Sequence, residues 1–130
     1  MIAGVSAPSA TRPAQVRIAV PNTNYELHLV PSGEVRAGAG ALVHGTIHAQ
    51  ARRIDRVGGG GRFIEPVVGR PRRVQGSVVV VEGDAVVVNA GVPIHCVPTD
   101  PRQRASGFEP GEFVGFDVME GAEFREREAS

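Results

Sequence analysis

The sequence predicts an all-β fold, and three observations carry that prediction. Valine outnumbers leucine 21 to 3, and valine, stiff at χ1, favours strands where leucine favours helices. Glycine and proline, at 17 and 10 residues, cut the chain into short segments. Among those segments, Val74 to Val97 reads VQGSVVVVEGDAVVVNAGVPIHCV, two valine runs on either side of a glycine turn. A two-residue turn at Gly83-Asp84 pairs Val81 with Val86 and Val80 with Val87. Glycine supplies the positive φ that a type II′ bend needs at its first central position. Both arms are continuously apolar, so the expectation is a hairpin covered on both faces by a closed barrel, a second sheet or another copy of the chain.

The other elements follow in order. Residues 1–15 are rich in Ala, Ser, Pro and Thr and read as a flexible leader ahead of a single domain over 16–124. Val16 to Val20 and Tyr25 to Val30 alternate apolar with polar around the turn residues Pro21 to Asn24, which predicts two strands or one bent at Pro21. Tyr25, Leu27 and Leu29 share one side. Leu42 to Val57 fits a helical face (Ile47, Ala51, Ile54) and a strand face (Val43, Gly45, Ile47, Ala49, Ala51). The lack of a capping residue at Leu42 and Val43 favours the strand. Gly58 to Gly61 then reads as a hairpin tip, and Pro66 and Pro71 interrupt the connection to the central hairpin.

After the hairpin, Pro93 places Val92 to Val97 at a sheet edge. Arg102 to Ser106 has the composition of one helical turn. Pro110-Gly111 makes a turn, and Phe113 to Met119 alternates with Val114, Phe116 and Val118 inward. Glu120-Gly121 closes a last short hairpin through Phe124, and 125–130 is a charged tail. Five to seven strands suit a small closed or partly open barrel, OB-like in the manner of the five-stranded barrels that bind oligonucleotides, with a compact sandwich as the alternative.

Charge narrows the function classes. The 14 basic residues are all arginine, matched by 14 acids. Residues 1–80 hold ten Arg and four acids, whereas 81–130 hold four Arg and ten acids. The two halves either neutralise each other or give the molecule a basic and an acidic face. A single cysteine excludes an internal disulfide. The start lacks a secretory signal, and no stretch approaches the roughly 18 apolar residues of a membrane span, so a cytoplasmic protein without a membrane partner is expected.

The best candidate site is the segment Arg52 to Arg73, where Arg52, Arg53, Arg56, Arg62, Arg70, Arg72 and Arg73 face only Asp55 and Glu65. Guanidinium groups on a glycine-rich loop suit a phosphate backbone, and Phe63 beside Arg62 offers one base a stacking surface. A non-enzymatic binding module for nucleic acid or another polyanion is the leading expectation. A self-assembling protein forming homo-oligomers through the apolar hairpin is the second. The third is a metal- or cysteine-dependent enzyme, built from Cys96 and His28, His44, His48 and His95. On a strand His44 and His48 stand too far apart for one ion, and His95 and Cys96 point to opposite faces. No cofactor, metal or catalytic residue is therefore expected. Gly58 to Gly61 fits no phosphate loop, because the chain has no lysine to complete one.

Overall fold

The computed structural model describes residues 2–6, 15–32 and 44–126. Its strands are β1 (Ile2–Ser6), β2 (Gln15–Ala19), β3 (Glu26–Pro31), β4 (Gly45–Ala51), β5 (Asp55–Arg56), β6 (Phe63–Glu65), β7 (Val68–Gly69), β8 (Arg73–Glu82), β9 (Ala85–Asn89), β10 (Pro93–Pro98), β11 (Phe113–Asp117) and β12 (Glu123–Glu126). One turn of 3-10 helix, Ala105–Gly107, lies within the stretch expected to hold a helical turn and one residue beyond it.

Alternation decides β2 and β3. Val16 pairs with Leu29 and Ile18 with Leu27, and all four are buried, so period-2 patterning aims both strands at one core. The turn between them puts Asn22 at φ 64, a conformation that asparagine tolerates better than most side chains. The Thr23 hydroxyl donates to the Val20 carbonyl at 2.8 Å and accepts from the Tyr25 amide at 3.1 Å.

The central hairpin has the expected register: Val81 pairs with Val86 and Val80 with Val87 across Gly83, whose φ is 59. A bulge follows between Val78 and Val80. The expectation that both arms are covered holds for one of them. Val86, Val87 and Val88 are buried, whereas Val79 is 50% and Val80 37% exposed. The cause is a difference in neighbours. β9 lies between β8 and β10, whereas β8 has β11 beside it from Arg73 to Ser77 and the backbone of Gly111 and Glu112 at Val78, so Val79 and Val80 lie beyond that neighbour.

β4 is the strand that the missing cap favoured, and the helical reading is excluded over its residues. It pairs in parallel with β10, His48 opposite His95. Two expectations are corrected here. β10 is an inner strand between β4 and β9, and Pro93 is tolerated because it stands at the strand's first residue. β12 forms no hairpin with β11; it pairs antiparallel with β4 and parallel with β3. Phe124 reaches β4 because Gly45 has no side chain, and a Cβ there would overlap the phenyl ring.

One sheet path runs through ten strands in the order β1-β2-β3-β12-β4-β10-β9-β8-β11-β5 and does not close, with β6 on β8 and β7 on β3 off that path. The chain is all-β as expected, and its one sheet does not close, which does not support a closed barrel of five to seven strands. β5 falls inside the stretch expected as one strand to Val57, which is broken after Ala51, whereas β6 and β7, two or three residues long, lie inside the expected connection. The sheet gathers its apolar face around Leu27, Leu29, Ile54, Ile64, Ile94 and Phe116, all fully buried. The stretch expected as a leader contains β1, which pairs with β2, and the expected tail begins inside β12; the rest of both lies outside the described residues.

Candidate functional site

The seven arginines of the candidate segment divide into two kinds. Arg56, Arg70 and Arg73 are committed to acids of the C-terminal half. Arg56 donates to the Glu112 carboxylate and, at 2.6 Å, to the Gly107 carbonyl, with its guanidinium 4.6 Å from the centre of the Phe108 ring. The hydrogen bond from Arg56 holds the Glu112 carboxyl below its ordinary range, and the same bond raises Arg56 above its own. Arg73 pairs with Asp117 at 3.3 Å and Arg70 with Glu120 at 3.4 Å. Arg73 also lies on the bare backbone of Gly115, where a Cβ would come within 2.8 Å of a guanidinium nitrogen. These three serve the neutralisation of one half of the chain by the other.

Arg52, Arg53, Arg62 and Arg72 are exposed, and their guanidinium groups form no hydrogen bond or ion pair among the described residues. They do not make one patch. Arg62 ends the glycine loop, which is no hairpin tip, since β5 pairs with β11 and β6 with β8. The buried Gln75 amide fixes that loop by donating to the Gly61 carbonyl at 3.0 Å and the Gly59 carbonyl at 3.4 Å, and Gly60 takes φ 108 above it. Phe63 is half-buried opposite Gln75, a poor stacking platform. Arg72 stands apart from Arg52, because residues 118 and 119 run between them, bonded to the Arg72 and Gln50 carbonyls at 2.8 Å each.

Arg52 and Arg53 occupy the best-defined corner. The Thr99 amide donates to the Ala51 carbonyl at 2.8 Å and the Asp100 amide to the Arg52 carbonyl at 3.0 Å. The Gln103 side chain then brackets Ile54, accepting from its amide at 2.7 Å and donating to its carbonyl at 2.8 Å. Two segments 49 residues apart are thereby fastened together. Asp100, 7% exposed, accepts from the backbone amide and both sides of the guanidinium of Arg102. Those bonds, helped by the field of Arg53, hold its carboxyl down at about 2. Arg104 follows, exposed and without a side-chain hydrogen bond or ion pair among the described residues. It joins Arg52 and Arg53 on the stitched loops. Sequence reasoning misses it because it stands in the acidic half, and only the Gln103 bracket signals its position.

The histidine and cysteine expectations resolve differently. Cys96 is buried, which pushes its thiol up to about 12, so it is protonated at neutral pH and no ready nucleophile. Parallel pairing of β4 with β10 brings His48 and His95 together, ring centres 4.8 Å apart and planes 29° apart. Nε2 of His48 lies 2.7 Å from the Thr46 hydroxyl and Nδ1 of His95 4.0 Å from the Glu82 carboxylate, and no group of three metal-binding side chains gathers among the described residues. His28 lies 3.5 Å from Glu26 on β3.

Comparisons with protein-family models, with curated proteins and with solved structures return no match. No helix among the described residues is long and apolar enough to cross a membrane.

Proposed function

We propose that the protein is a non-enzymatic binding module for a polyanion, a nucleic-acid strand being the foremost case, with Arg52, Arg53 and Arg104 as the principal contact and Arg62 and Arg72 outlying. The supporting observation is the stitched corner: three exposed guanidinium groups without a hydrogen bond or ion pair among the described residues stand on backbone that Gln103 fixes to Ile54. The backbone that carries them is set before a ligand arrives, so the ordering cost of binding falls on the side chains. With Phe63 half-buried, recognition rests on backbone charge and is indifferent to base sequence. Fluorescence anisotropy of a labelled single-stranded oligonucleotide tests this. Three phosphate contacts predict an affinity about twentyfold weaker at about 200 mM than at about 50 mM salt. Salt-insensitive binding, or none at the lower salt, rejects the reading.

Self-association is the second reading, favoured by the exposed Val79 and Val80 at the bulge. It predicts a mass above 13.7 kDa in light scattering, insensitive to salt, that Val79→Thr with Val80→Thr reduces to the monomer.

A further inference from the structure

A groove of about 360 Å³ opens beside the arginine corner, between the tip of the central hairpin and the loop that carries Arg104. Gly83 and Asp84 line it from the hairpin, Arg104 and Ser106 from the loop, and Pro98 and Ala105 add uncharged surface. Hydrogen bonds fix the backbone of both sides. The Gln103 bracket holds the loop to Ile54, and in the 3-10 turn the Gly107 amide donates to the Arg104 carbonyl at 3.0 Å. The tip is closed by the pairing of Glu82 with Ala85.

Asp84 is out of keeping with a plain turn. A turn aspartate commonly bonds its carboxylate to nearby backbone. Asp84 is exposed and makes no hydrogen bond or ion pair among the described residues, and none with the Arg104 that lines the same groove. A bare carboxylate beside a guanidinium that takes a phosphate repels the strand, unless the strand offers it a hydrogen to accept. Phosphate oxygens and the sugar ring oxygen only accept, and the donors on bases change with sequence. The ribose 2′-hydroxyl is the donor that RNA repeats at every nucleotide and DNA lacks.

We propose that the polyanion is RNA: Arg104, with the Ser106 hydroxyl, holds a phosphate at this groove while the Asp84 carboxylate accepts from a ribose 2′-hydroxyl. The inference rests on the polyanion reading and adds to it a selection against DNA, to which Asp84 offers only repulsion. Selection acts through the sugar, so recognition stays indifferent to base sequence.

The test is fluorescence anisotropy with labelled oligoadenylate of one length as RNA, as DNA and as 2′-O-methyl RNA, probes equal in bases and phosphates. At about 50 mM salt, wild type binds RNA about tenfold tighter than DNA, the worth of one hydrogen bond to a charged group. The 2′-O-methyl RNA, which has lost the donor, binds like DNA. Asp84→Ala weakens RNA binding and tightens DNA binding until the two agree. The φ of Asp84 is not positive, so alanine fits the turn, and the 2′-O-methyl probe needs no variant. DNA bound as tightly as RNA by wild type, 2′-O-methyl RNA bound as tightly as RNA, or a preference that survives Asp84→Ala overturns the inference and leaves polyanion binding standing. Binding of neither RNA nor DNA overturns both.

Discussion

Two stretches of the arginine-rich segment have similar composition and opposite fates. Around 70–73, Arg70 and Arg73 each face an acid from the far end of the chain, Glu120 and Asp117. At 52–54, Arg52 and Arg53 ride on a corner whose hydrogen bonding is spent on backbone, through Gln103 and Asp100. The first stretch uses charge to join one half of the chain to the other. The second holds its backbone in place with neutral groups and leaves its cations to solvent. Charge density along a sequence therefore does not locate a binding surface; what matters is which cations the fold has already neutralised.

Perturbing one stretch at a time sharpens this contrast. The largest expected effect is on binding: Arg52→Glu, Arg53→Glu and Arg104→Glu together weaken oligonucleotide affinity about 100-fold or more at low salt, since each reversal replaces a phosphate contact with repulsion. The melting temperature falls only slightly, because none of the three holds a hydrogen bond or ion pair, the loss coming from Arg53, whose field acts on Asp100. Next comes Gln103→Ala, which leaves the buried amide and carbonyl of Ile54 without their bracket. Urea denaturation should register a loss of about 1–3 kcal/mol, and binding should weaken severalfold as the backbone beneath Arg53 and Arg104 loosens. The smallest effect concerns pH. Asp100 is held well below its ordinary value of 3.8, at about 2, so its contribution is present above that ordinary value and fades as pH falls through about 2. Asp100→Asn should lower stability at neutral pH and flatten this acid limb in urea midpoints measured between about pH 5 and 2.

Local rules explain what was legible. Glycine at the turn set the register of the valine hairpin, and alternation aimed Val16, Ile18, Leu27 and Leu29, and later Val114 and Phe116, at the core. Long-range pairing explains what was not. Nothing near His48 or His95 announces that β4 and β10 lie side by side, so the stacking of their rings has no trace in the sequence. The run of valines likewise does not announce the bulge between Val78 and Val80. The division of the arginines depends on partners such as Glu112, 56 residues from Arg56. The count of acids and bases in each half anticipated mutual neutralisation, without saying which cations it would consume.

The central claim, that Arg52, Arg53 and Arg104 contact the polyanion while Arg56, Arg70 and Arg73 hold the fold, is tested most directly by the salt slope of oligonucleotide binding. Wild type is compared with Arg52→Gln/Arg53→Gln/Arg104→Gln and with Arg56→Gln/Arg70→Gln/Arg73→Gln, equal in charge removed. The account predicts that the first variant flattens the slope of log affinity against log salt by about 2, near 0.7 for each single-strand phosphate that is no longer neutralised. The second should keep the wild-type slope and melt at a lower temperature. Equal flattening in both variants, or flattening only in the second, would contradict it.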